Sequence, residues 1–203
     1  MKAAALYIDT KRGPYAAMPD VDAWGVERDA TTYDGDLPVI AHPPCAAWGR
    51  YAHKAIDDGS TGPVAVAQVR KHGGVLEHPR DSKLWQACGM PRPGELPDAW
   101  GGFTILVHQR DWGHRADKPT WLYIVGASSI PDLPTPQPPR EAWIDAKRSL
   151  TDDLANPGRR RGTRGIIERM SKTQRHLTPL PFAEWLVDLA SRCRPPKERE
   201  DDR

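Results

Sequence analysis

The residues with the most chemical potential stand where short apolar runs stop. Leu37-Pro38-Val39-Ile40-Ala41-His42 is an apolar strand candidate, halted by Pro43-Pro44 and followed at once by Cys45. Two prolines stiffen such a turn and remove two backbone donors. The next side chain is then held at the carboxyl end of the strand, where open α/β sheets place their ligands. A thiol fixed there is a candidate nucleophile; the competing role is that of a small buried hydrophobe. The next apolar run, Val75-Leu76, closes on Glu77-His78-Pro79. If the two strands are neighbours, Glu77 and Cys45 lie side by side on one edge. A carboxyl in a partly dry cleft has a raised pKa and can hold or donate a proton; otherwise Glu77 caps the helix that follows.

Two further segments carry positive charge. The stretch from Gln109 to Trp121 contains Arg110, Trp112, His114, Arg115 and Lys118. It suits a phosphate and a base, or is a solvated loop. Between Asn156 and His176 there are seven Lys/Arg residues against one acid, Glu168. Within this stretch Arg159, Arg160, Arg161 and Arg164 sit among glycines, a natural match for nucleic-acid phosphates, or a basic loop with no partner. No metal site is expected. His42, Cys45, His53, His78, Cys88 and His114 form no Cys-x-x-Cys or His-x-x-x-His unit, and His42-x-x-Cys45 alone is a weak signature.

The elements that must position these residues alternate between strand and helix. Expected strands are Ala4–Ile8, Trp24–Glu27, Leu37–His42, Val75–His78, Phe103–His108 and Thr120–Val125. Expected helices are Val64–His72, Lys83–Cys88 and Pro181–Ser191, with a short one over Tyr15–Asp22 interrupted by Pro19. Near-continuous apolar strands separated by helices predict an α/β sheet covered on both faces. Six prolines between Pro131 and Pro157 mark an irregular surface stretch. The chain of 203 residues suits one domain over 1–192, with 127–175 as a Pro-rich and basic insertion and 193–203 as a charged disordered tail. A net charge of +2 does not by itself argue for nucleic acid. Three cysteines with no pairing pattern argue against a secreted disulfide framework. The quickly acidic N-terminus lacks a signal peptide, and no apolar run is long enough to span a membrane. A cytoplasmic protein is expected.

Taken in order, Pro43-Pro44-Cys45, Leu76-Glu77-His78-Pro79, Asp111-Trp112-Gly113 with Trp121–Gly126, and Leu177–Ala183 resemble segments of the cytosine-C5 DNA methyltransferases. The likeness covers roughly residues 37–126 and 170–192. It implies a Rossmann-like methyltransferase-type sheet, here compressed in its N-terminal half, and DNA as partner. It also implies that the Cys45 thiolate adds to C6 of a flipped-out cytosine while Glu77 contacts N3. His42, Pro44, His78, His114, Lys118 and the Arg159–Arg164 run become candidate base and DNA contacts. S-adenosylmethionine is the implied cofactor, with Asp9, Glu27 and Asp36 as candidate carboxylates around it. The glycine-rich cofactor loop of that family is replaced by Ile8-Asp9-Thr10-Lys11-Arg12-Gly13-Pro14. A compact chain of this type suits a phage or mobile element. Two other readings stay open: an inactive methyltransferase-like DNA-binding module, and an enzyme modifying free pyrimidine nucleotides.

Overall fold

The structure is a computed structural model that describes residues 1–56, 59–137 and 176–196. Six strands form one mixed sheet: β1 (Ala3–Leu6), β2 (Val21–Trp24), β3 (Val39–Ala41), β4 (Gly74–Pro79), β5 (Phe103–His108) and β6 (Pro119–Val125), in the order β2-β1-β3-β4-β6-β5. The first four neighbours in that order run parallel, whereas β6 is antiparallel to both β4 and β5. The carboxyl ends of β1 to β5 therefore share one edge with the start of β6. The chain steps outward from β1 to β2 and returns to β3 on the other side of β1, so the sheet has its switch point between β1 and β3.

Side chains alternate between two clusters along each central strand, as the period of a strand requires. Ala3, Ala5, Ile40, Val75, Leu122 and Ile124 belong to one cluster, which also holds the buried side of helix α3 (Leu180–Ser191). Ala4, Leu6, Val39, Ala41, Leu76, Tyr123 and Val125 belong to the other, with Ala65, Val66 and Val69 of helix α1 (Thr61–His72) and Leu84 and Trp85 of the short helix α2 (Leu84–Ala87). In α1, Arg70, Lys71 and His72 stand in the last turn, where positive charge complements the helix dipole. Gly73 and Gly74 then turn the chain into β4. At Gly74, φ is +128° and a Cβ would lie 2.0 Å from the Val39 carbonyl oxygen. Only glycine lets β4 approach β3 this closely.

The observed elements follow the expected ones except near β2. The chain over Tyr15–Asp22 is a single 3-10 turn, Pro14–Ala17, and Val21-Asp22-Ala23-Trp24 pairs with β1 ahead of the expected strand. Pro19 and Asp20 break the turn early enough to release Val21, which is buried, into the sheet. The described part of the Pro-rich stretch is fastened to α3: the Asp132 carbonyl accepts Trp185 Nε1 at 3.0 Å. The expected tail starts later than Cys193. That residue is fully buried and bridges Ala127, and the Arg194 amide donates to the Gly126 carbonyl at 3.0 Å. Among the described residues no helix is long and apolar enough to cross a membrane. Residues 138–175 and 197–203 lie outside the described residues, and with them most of the expected insertion and tail.

Candidate active site

Parallel pairing of β3 with β4 sets Ala41 opposite Leu76, so His42 and Glu77 leave the sheet level with one another. His42 Nδ1 lies 3.0 Å from Glu77 Oε2, with both side chains largely buried. The other ring nitrogen, Nε2, lies 2.8 Å from the hydroxyl of Tyr15, which is itself only 2% exposed. On the far side, Gln109 Nε2 donates to Glu77 Oε1 at 3.0 Å and to Thr120 Oγ1 at 3.1 Å. Tyr15, His42, Glu77, Gln109 and Thr120 thus form one hydrogen-bonded row across the carboxyl edge. It begins in the turn after β1 and ends on β6.

Cys45 stands beside this row, half-buried, at the start of the 3-10 turn Ala46–Trp48. The Trp48 amide donates to the Cys45 carbonyl at 3.1 Å, and the Lys83 amide donates to the Trp48 carbonyl at 2.9 Å, tying the turn to the start of α2. Lys118 closes the group from the β5–β6 loop. Burial pushes its ammonium pKa down, while the charges of Glu77 and Cys45 act on it in the opposite sense. Its Nζ also donates to the Leu177 carbonyl at 3.2 Å. A thiol, a carboxylate and an ammonium are therefore gathered at the end of β3 and β4. A buried ammonium beside a thiol favours the reactive thiolate.

The electrostatics correct one expectation. Burial alone would raise the Glu77 carboxyl, as expected from the sequence. The His42 ring bonded to it, with Lys118 and His78 nearby, outweighs burial and holds it at about 2. Glu77 is an ionised acceptor. His78 points the other way and is fully buried against Trp85, at 6.2 Å between ring centroids. Neither of its nitrogens has a hydrogen-bond partner of good geometry. Burial pushes its pKa down to about 4, against the pull of Glu77 and of the nearby Pro44 carbonyl. His78, a candidate base or DNA contact from the sequence, is thus packed in the interior beneath the Cys45 loop.

Other candidates separate in the same way. Pro44 is exposed at the edge. His114 is buried, with Nδ1 3.0 Å from the Ala116 amide, and serves its own loop. Trp112, within the stretch that suits a phosphate and a base, packs against Phe182 and Trp185 at 4.8 and 5.2 Å between ring centroids. Asp36 precedes β3 and so lies at the opposite edge of the sheet from Asp9 and Glu27. Arg159, Arg160, Arg161 and Arg164 lie outside the described residues. Tyr15, Gln109 and Thr120 are site residues to which no sequence signal assigned a role. Gln109, a polar residue directly after an apolar strand, shares the position that marked His42 and Glu77. Tyr15 carries no such mark.

S-adenosylmethionine would call for a carboxylate beyond β2 and an open loop beyond β1. Glu27 meets the first need: it is exposed and accepts the Thr10 hydroxyl at 3.2 Å. The loop does not meet the second. Asp9 Oδ1 accepts the amides of Lys11 and Arg12 at 2.9 and 3.1 Å, and Gly13 donates to the Asp9 carbonyl at 2.8 Å. The loop folds on itself, and Pro14 opens one 3-10 turn rather than a helix with open amides. The residues present fit the ribose half of that cofactor and not its amino-acid half. Among the described residues, no three His, Cys, Asp or Glu side chains converge to hold a metal. An open cleft of about 1010 Å³ lies beyond β4, lined by Arg80, Lys83, Trp85, Arg92, Leu106 and Trp121, and includes neither Cys45 nor Glu77.

Compared with protein-family models, curated proteins and solved structures, the chain matches none.

Proposed function

We propose that the protein modifies a pyrimidine base in DNA, with Cys45 as the nucleophile that adds to C6 and Glu77 and Lys118 as the groups that meet the ring. The observation that carries this reading is the register of β3 against β4. It aligns His42 with Glu77 at one edge and leaves Lys118 under the charges of both Glu77 and Cys45. Addition of a thiolate to C6 places negative charge on the ring, which a nearby ammonium and a proton source stabilise. The sheet, with its switch point between β1 and β3 and helices in both apolar clusters, is compatible with the methyltransferase-type arrangement implied by the sequence likeness. The likeness also suggests S-adenosylmethionine as methyl donor, with Glu27 at its ribose. The self-closed loop after β1 favours a second reading, an inactive DNA-binding module that keeps the base pocket without the transfer.

The addition step can be read without any methyl donor. Once sulfur is bonded to C6, C5 becomes nucleophilic and takes a deuteron from heavy water. Loss of the original C5 proton and departure of the thiolate restore the base with deuterium at C5. The expected result is deuterium at C5 of cytosine in DNA with the wild-type protein and none with Cys45→Ala of unchanged circular dichroism. Equal exchange by both proteins overturns Cys45 as nucleophile, and exchange by neither points to the inactive module.

A further inference from the structure

The row beneath the thiol contains more than a base contact requires. Glu77 has each oxygen engaged, Oε2 with His42 and Oε1 with Gln109. Its side chain is 14% exposed and that of His42 13%, so the pair is largely shielded from water. An ionised carboxylate brings no proton of its own to a ring that must accept one. Histidine is the side chain that can carry a proton near neutral pH. His42 is also locked in orientation, with Tyr15 at one nitrogen and Glu77 at the other. A base oriented by a third buried group is the arrangement that proton-transfer sites repeat.

We propose that His42, seated on Tyr15, is the proton store of the site and passes a proton through Glu77 to the pyrimidine as Cys45 adds to C6. The inference rests on the base-modifying reading above. When His42 carries both ring protons, Nδ1–H meets Glu77 Oε2 and Nε2–H meets the Tyr15 oxygen. As the sulfur lone pair forms the S–C6 bond, the C5=C6 π pair shifts into the ring. The Nδ1 proton crosses to Glu77 and a carboxyl proton goes to ring N3, which leaves His42 neutral. When the thiolate departs, the proton returns by the same path, so no oxidant or further reactant is needed. Among the described residues, the charged and titratable groups around the pair include Tyr15 from the turn after β1, Cys45 from the turn after β3, His78 on β4, and Lys118 from the β5–β6 loop. Tyr15 stays protonated, because burial and the Glu77 charge raise it well above its ordinary value.

The test follows deuterium exchange at C5 of cytosine in DNA against pH, for wild type, His42→Gln and Tyr15→Phe, with nitrogen-15 spectra of the histidine rings in the free proteins. In His42→Gln the rate at neutral pH falls on the order of 100-fold, the scale of a general-acid contribution. Its profile also loses the wild-type inflection and keeps rising into the acid range. Tyr15→Phe keeps exchange but moves the inflection. In the free protein, a strongly hydrogen-bonded Nδ1–H of His42 is present in wild type and absent in Glu77→Gln. A wild-type pH profile in His42→Gln, or no such proton in the wild-type spectrum, overturns the relay. The spectra need no substrate, so they judge the relay even if Cys45→Ala exchanges as fast as wild type and the base-modifying reading fails.

Discussion

At Glu77 and His78, adjacent residues of one strand, opposite environments produce opposite demands. Glu77 faces a cation and a histidine that hold it ionised; His78 faces aromatic packing that keeps it neutral. His78 binds a proton at about 6.5 when unfolded and at about 4 when folded. Its folded pKa is depressed, so its neutral burial contributes stability in full above about 6.5, and that contribution is lost as pH falls towards 4. The size is on the order of 3 kcal/mol, from 1.36 kcal/mol per unit of pKa difference. His78→Leu, similar in volume, should remove this slope. Denaturant unfolding at a series of pH values should show wild type weakening more steeply between 6.5 and 4 than the variant, which keeps the slope from His72, itself pushed down by burial. Cys45, His42 and Glu77 were legible in the sequence because each follows an apolar run and meets proline. The direction of the Glu77 shift was not. It depends on His42 and Lys118, which lie 35 and 41 positions away along the chain. Tyr15 is hidden for the same reason, 27 residues from the imidazole that it holds.

Among the elements, β3 and β4 carry the site, and their close approach depends on Gly74. Alanine there would hold a left-side φ of +128° and set its Cβ 2.0 Å from the Val39 carbonyl oxygen. The strands must part or slide, at a cost of about 3 kcal/mol. For a chain of this length that predicts a melting temperature lower by roughly 6–12 °C. Because the same shift separates His42 from Glu77, C5 exchange by any folded Gly74→Ala protein should fall as well. A melting temperature and an exchange rate equal to wild type would refute this role. The strongly apolar elements β5, β6, α1 and α3 were readable from their runs and spacing. β2 was displaced because Val21-Asp22-Ala23-Trp24 alternates only weakly, and its pairing with β1 is a tertiary choice. The fate of Trp112 was likewise unreadable. A tryptophan in a cationic loop has the composition of a base platform, and only the position of α3 shows that it is a core residue.

For the molecule as a whole, topology explains why these residues meet. The switch point lies between β1 and β3, and β5, parallel to β4, ends at the same carboxyl edge, so the loop holding Gln109 and Lys118 begins there. Segments from positions 15, 42, 45, 77, 109 and 118 therefore share one site, although no two of the longer gaps between them could be bridged by local structure. The basic run Arg159–Arg164 supplies the sequence argument for DNA as the substrate. The proposed alteration of a DNA base at this thiol-centred edge is read out by mass spectrometry of the nucleosides from cells expressing the protein. A pyrimidine nucleoside of altered mass is expected in DNA from cells with wild-type protein, absent from cells with Cys45→Ala at equal expression. DNA nucleosides identical in wild-type, Cys45→Ala and empty-vector cells would contradict it.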